Sequence, residues 1–315
     1  MRPDGFVAAS GQAASWAFLE VAGMVYSLLL WGKAIGHPLW IAPSRDAPPG
    51  VLAATLVLAV PLSIAGRRRF GLAALATTTA AITPLLARPS LDGPWLLAAT
   101  VASQGCLVAA LASGMARFPR FTTPSTAGRV SGAVAAAETL AAGLALAAAV
   151  ELLRDARQTY AVAALAILAG GLSSAFFLDD RTVPQPSVAR ATGRTQGTIA
   201  LAAWLVVSFC LASWDARRTS VWDLVAFQVS AAAGALVAGL AWDGLPARRA
   251  GTLLPLALLA CAVVMGKNVL AGIVAGGALA LGRCVLPAST GAKGAGAGIL
   301  AKAAQLLGGR LAGIV

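Results

Sequence analysis

The sequence predicts an all-α fold: a polytopic membrane bundle of about eleven transmembrane helices in two pseudo-repeated halves, six and five. Three observations carry this. Of 315 residues, 58% are apolar and only 11% charged, whereas a soluble domain has roughly 45–50% and about 25%. The apolar residues fall in runs of about 20, the length a helix needs to cross a hydrocarbon core about 30 Å thick. No apolar–polar alternation marks barrel strands. Backbone groups in lipid must be satisfied internally, so such runs are helices. With a mean hydropathy of +0.80, a cytosolic enzyme, a secreted scaffold and a disordered tail are excluded.

Each span has its own justification. The first, 14–33, runs well past signal-peptide length without an A-x-A break, which predicts a retained first helix. Spans 50–66 and 70–88 flank Arg67, Arg68 and Arg69, a tight cationic break. Spans 94–116, 129–150 and 159–178 complete a six-helix N-terminal bundle over 1–178. The stretch 179–197 is polar and contains Pro184 and Pro186; it reads as a cytoplasmic linker. Spans 198–214, 222–242, 250–266, 268–285 and 291–313 form a five-helix C-terminal bundle over 198–315. Helices of this length use most of the chain and leave no room for an extramembrane domain.

Charge sets the orientation. The net charge of +12 would suggest nucleic acid in a soluble protein. Here the cations sit in short breaks between apolar runs, so anionic lipid is the expected partner and nucleic acid is not. With the N-terminus cytoplasmic, 15 of the 24 Lys and Arg fall inside, including Arg283, which fits the positive-inside rule. The expected location is a bacterial inner membrane, the source being inferred from the Ala- and Arg-rich composition. Trp16, Trp31, Trp40, Trp95, Trp204, Trp214, Trp222 and Trp242 lie mostly near span ends, as an interfacial belt would.

Metal, disulfide and triad chemistry find little support. Four cysteines include no CxxC pair, and His37 is the only histidine. No cofactor or metal is expected. Asp243-Gly244-x2-Ala247-Arg248 opens like a CDP-alcohol phosphotransferase motif. However, Ala257, Cys261 and Met265 stand where its later Gly and metal-holding Asp residues belong. An aromatic prenyltransferase would need Asp-rich loops, and no D-x3-D occurs. The chain is therefore not expected to be an enzyme.

The two halves look related. Arginine clusters follow the second span (66–79) and the eighth (234–259), and small-residue stretches open the fifth (124–145) and the eleventh (287–313). Small-xxx-small pairs recur at Gly32/Gly36, Gly128/Gly132, Gly272/Gly276, Gly294/Gly298 and Gly309/Gly313; they let helices approach closely. Duplicated helical bundles are a common plan for transporters.

Gly239-Leu-Ala-Trp-Asp243 followed by Arg248-Arg249 resembles the cytoplasmic loop motif G-x3-D-R-x-G-R-R of the major facilitator superfamily. Gly66, Arg67 and Arg68 resemble a first copy, with Ser63 where the Asp would fall. Gly244 stands where the family often has Arg, and a twelfth helix is missing, so the resemblance is to a shortened member. It implies a secondary transporter that moves a small molecule by alternating access. Gly239, Asp243, Arg248, Arg249, Arg67 and Arg68 are the implied conformational latch. Topology marking is the alternative reading of the arginines.

Ionisable groups inside lipid are costly and are functional candidates. Glu20 lies in span 1 and Glu138 in span 5. A carboxylate in an apolar setting favours its neutral form and can carry a proton. An acid in helix 1 also resembles the proton site of some drug antiporters in this superfamily. Gln104 and Gln228 sit mid-span and either line a polar cavity or join helices by hydrogen bonds. Two alternatives stand beside this reading. The stretch 137–171 resembles the paired helices of the drug/metabolite transporters, which have ten spans. A non-transporting membrane subunit or assembly factor, with a membrane-protein partner, is the other.

Overall fold

The computed structural model describes residues 48–86, 88, 93–115, 126–151, 156–176, 198–199, 201–202, 204–206, 209, 221–244, 269–289 and 296–312. Among them are eight long helices and no strand. They are α1 (Pro49–Ala65), α2 (Arg69–Leu86), α3 (Gly93–Met115), α4 (Ala127–Glu151), α5 (Ala156–Phe176), α6 (Val221–Gly244), α7 (Val269–Ser289) and α8 (Gly296–Ala312). The spans expected at 14–33 and 250–266, the linker 179–197 and much of 198–214 lie outside the described residues. So do Glu20, Arg248 and Arg249.

Arg69–Leu86, Gly93–Ser113 and Val225–Gly244 are long and apolar enough to cross a membrane; Pro49–Ala65, Tyr160–Phe176 and Val269–Cys284 are apolar but shorter. The sorting of side chains fits lipid as the solvent. On α6 the buried residues include Ser230, Ala231, Ala232 and Ala235, while Val229, Leu236, Val237 and Leu240 are exposed. Water would drive the large apolar groups inward. Lipid exerts no such drive between helices, which leaves close packing of small residues as the source of cohesion. Val57, Leu165 and Phe176 face outward in the same way.

Threonine hydroxyls inside the bundle bond back to their own helices. Thr55 donates to the Val51 carbonyl at 2.8 Å, Thr79 to Leu75 at 2.9 Å, Thr83 to Thr79 at 2.6 Å and Thr100 to Leu96 at 2.7 Å. An unbonded hydroxyl in an apolar medium costs several kcal/mol, roughly 2–7, so this back-bonding lets threonine sit where water is absent. Proline marks the start of α1, where Pro49 lacks an N–H that would have no partner anyway.

Packing falls into two neighbourhoods. α1 packs beside α3, α3 beside α2, and α2 beside α5. Their shared core contains Leu72, Leu75, Leu107, Tyr160 and Ile167. α4 packs on α6 and α7, and α6 on α7. Ala135, Ala136, Ala232, Ala235 and Ala280 form one all-alanine cluster of that core. α8 packs on α3 and α1, with Leu306 against Leu52.

Directions follow from individual contacts. Gly105 lies against Leu58, and the Ser113 hydroxyl donates to the Ser63 carbonyl at 3.1 Å, so α1 and α3 run parallel. Gly272 lies against Phe227 and Ser230, Gly276 against Ala231, and Gly277 against Ala238, so α6 and α7 also run parallel. α4 is antiparallel to both. Gly132 meets Ala235 while Gly128 meets Gly239, and Ser131 bonds Ala280 while Ala127 accepts from Cys284. α6 therefore ends, and α7 begins, at opposite ends of this unit.

Candidate functional site

The first third of α4 forms a seam with the second half of α6. A Cβ at Gly128 would collide with the Gly239 carbonyl oxygen, and one at Gly239 with the Gly128 carbonyl oxygen. The two backbones touch directly at this point, which only paired glycines allow. Gly132 continues the seam one turn later, where a Cβ would meet the Ala235 carbonyl. The small-xxx-small spacing Gly128/Gly132 is thus used as a contact face.

The seam closes on a carboxylate. Asp243 on the last turn of α6 accepts from the Gly128 N–H and from the Arg129 N–H, both at 2.8 Å. Arg129 Nε donates to the same carboxylate at 3.2 Å. The first N–H groups of a helix have no intrahelical acceptor and carry the positive end of its dipole. Asp243 therefore caps α4 from another helix, and its side chain is only 5% exposed. The motif residues Gly239 and Asp243 act together: the glycine brings the helices close enough for the acid to reach.

The first motif copy is built differently. Gly66 is buried where its turn passes the Ser113 hydroxyl, and Arg67 and Arg68 extend from that turn, exposed. Ser63, at the acid's position, donates to the Val60 carbonyl of its own helix at 2.7 Å. The carboxylate contact between helices thus occurs at the second copy and not at Ser63.

Deeper along α4 lies a buried ion pair. Glu138 stands about 16 Å into α4 from Ala127 at 1.5 Å per residue. Its Oε2 accepts from Arg283 Nη2 of α7. Side chains lean toward the N-terminus of their own helix, and antiparallel α4 and α7 therefore lean Glu138 and Arg283 toward one another. Both are enclosed, at 7% and 4% exposure. The Arg283 guanidinium carbon stands 5.7 Å from the centre of the Trp204 ring, and Trp204 is itself buried against Gly282. Glu138 Oε1 is buried with no hydrogen-bond partner among the described residues.

This arrangement corrects two expectations. Arg283 is a buried counter-ion and not a cation set in an exposed break between spans. Trp204 and Trp242 are buried inside the protein and do not belong to an interfacial belt, whereas Trp95 and Trp222 are exposed. The position of Arg283 within an apolar run was the available signal: an ionisable residue in a span needs a partner, and Glu138 needed one as well. Gln104 is buried on α3 and Gln228 is half-buried on α6. Their helices belong to different neighbourhoods.

The fold and this site define an α-helical membrane protein. No protein-family model matches the chain, and no curated protein matches it either.

Proposed function

We propose that the protein is a secondary transporter of a small molecule, working by alternating access between a six-helix half and a five-helix half in a bacterial inner membrane. One observation carries the reading. Exchanging α1 with α6, α3 with α7 and α4 with α8 maps the helix contacts onto each other. α1 lies parallel to α3 as α6 does to α7; α4 packs on α6 as α8 does on α1; α4 packs on α7 as α8 does on α3. Such an exchange is what a pseudo-two-fold axis between repeated halves requires. The opposite placement of the end of α6 and the start of α7 is what a ninth span over 250–266 requires.

In this reading α4 and α8 are the helices that each half presents to the other. The Asp243 cap on α4 then joins the halves at the N-terminal end of α4 and holds that end closed. Arg67 and Arg68, exposed at the end of α1, meet lipid phosphate or acidic groups on the same side, and Arg248 and Arg249 are proposed for the same role. Glu20 and Glu138 are the proton-coupling candidates. The resemblance of the 239–249 loop to the major facilitator motif supports the same assignment.

The test is distance measurement between spin labels in nanodiscs. One pair sits at Phe70 and Gly244, the other at Trp95 and Trp222. Rocking gives two populations whose distances change in opposite senses at the two ends. A single fixed distance for both pairs at every pH and with every solute tested would rule the carrier out. Asp243→Ala is expected to weaken the closed end by about 1.5–3 kcal/mol, the usual worth of hydrogen bonds to a charged group. The Phe70–Gly244 pair should then shift at least tenfold toward its longer distance.

A further inference from the structure

We infer that Glu138 and Arg283 form a site that binds a small monocarboxylate together with a proton; this rests on the transporter reading for the movement of the two ions, but not for their binding. Arg283 is the only basic residue buried among the described residues, and it sits on a buried acid. A guanidinium cannot release its proton in a protein. An unbalanced charge in this setting costs several kcal/mol, so the site stays occupied by one negative charge. Either Glu138 supplies that charge or another anion does. When an anion takes Arg283, Glu138 must take a proton.

The geometry leaves an atom for each event. Glu138 Oε2 faces Arg283, and Oε1 has no partner among the described residues. A proton from the aqueous phase bonds to Oε1 without displacing an existing hydrogen bond. The neutral acid then releases the guanidinium edge held by Oε2, and the incoming carboxylate accepts from Nη2 in its place. One proton and one negative charge enter together, and the net charge of the site is unchanged. Trp204 covers one face of the guanidinium, so the incoming carboxylate takes the edge that Glu138 Oε2 gives up. A doubly charged phosphate would leave the site with excess charge; a monocarboxylate matches the group it replaces.

Among the described residues, the other charges on the helices packed around Glu138 lie toward the helix ends. From α7 the facing groups are Arg283 and, near Ala127, Cys284. α6 has no charged residue between Asp223 and Asp243, which lie at its two ends. On α4 itself, Arg129 is engaged with Asp243.

Benzoate binding to the purified full chain in detergent, followed by calorimetry in buffers of different ionisation enthalpy, tests the site. One proton should be taken up per benzoate bound. Affinity should rise about tenfold for each unit of pH lowered between about pH 8 and pH 6. Glu138→Gln, which is permanently neutral there, should bind benzoate with no proton uptake and no pH dependence. The double variant Glu138→Leu/Arg283→Met removes both charges, should remain folded, and should not bind. Benzylamine and inorganic phosphate should not bind the wild type. The inference is overturned if benzoate fails to bind, binds without proton uptake, or binds the double variant as well as the wild type. Fixed spin-label distances combined with proton-linked benzoate binding would remove the carrier and keep the site. Changing distances without such binding would do the reverse.

Discussion

Replacing Arg283 by Met alone is expected to destabilise the protein by about 3–5 kcal/mol, and adding Glu138→Leu is expected to recover most of that loss. The single change strands a carboxylate that is 7% exposed beside an alanine-lined core. Breaking one side of a buried pair carries a penalty of about this size, while replacing both sides by apolar groups is often neutral or better. Thermal unfolding in a fixed detergent and the coupling energy of the double-mutant cycle check it. Equal midpoints for Arg283→Met and the wild type would show that the pair contributes nothing to stability.

Gly239→Val is the second large effect, expected at about 3 kcal/mol or more. Overpacking a core usually costs about 1–3 kcal/mol because side chains can yield. At Gly239 the obstacle is the Gly128 backbone, which can give way only if α4 and α6 separate. That separation would also pull Asp243 off the first N–H groups of α4. Gly244→Val, five residues later where an added Cβ would meet nothing within 4 Å, is the control and should shift the unfolding midpoint little. Comparable losses at both positions would mean that the seam is not a tight contact in the folded protein.

The helices were legible because lipid leaves a 20-residue apolar run no other structure. The run read at 94–116 is the helix Gly93–Met115, and the run read at 222–242 is Val221–Gly244. The Gly239 and Asp243 spacing was legible as a motif. Its receptor was not, since the N–H groups it caps lie 114 and 115 residues earlier in the chain. Nothing local in Ala127–Val130 announces a carboxylate waiting on another helix. Arg283 was misread because its place six residues before the end of α7 looks like an interfacial cation. Only the antiparallel packing of α4 on α7 turns it inward. Trp204 misled for a related reason: its neighbour Gly282 is distant in sequence, and the space a glycine leaves for an indole cannot be seen from either segment.

The separation of Glu138 from Arg283, 145 residues, bears on how the chain is made. At synthesis rates of about 5–20 residues per second, α4 leaves the ribosome roughly 7–30 s before its counter-ion exists. During that interval the insertion machinery must accept a helix with an acid at its middle, an expense of about 2.5–3.5 kcal/mol on the biological insertion scale. The alanine- and leucine-rich remainder of α4 has to carry that burden alone. Its docking with α7 is therefore a late event in biogenesis, and ribosomes stalled before codon 283 should yield an α4 that can be extracted from its neighbours.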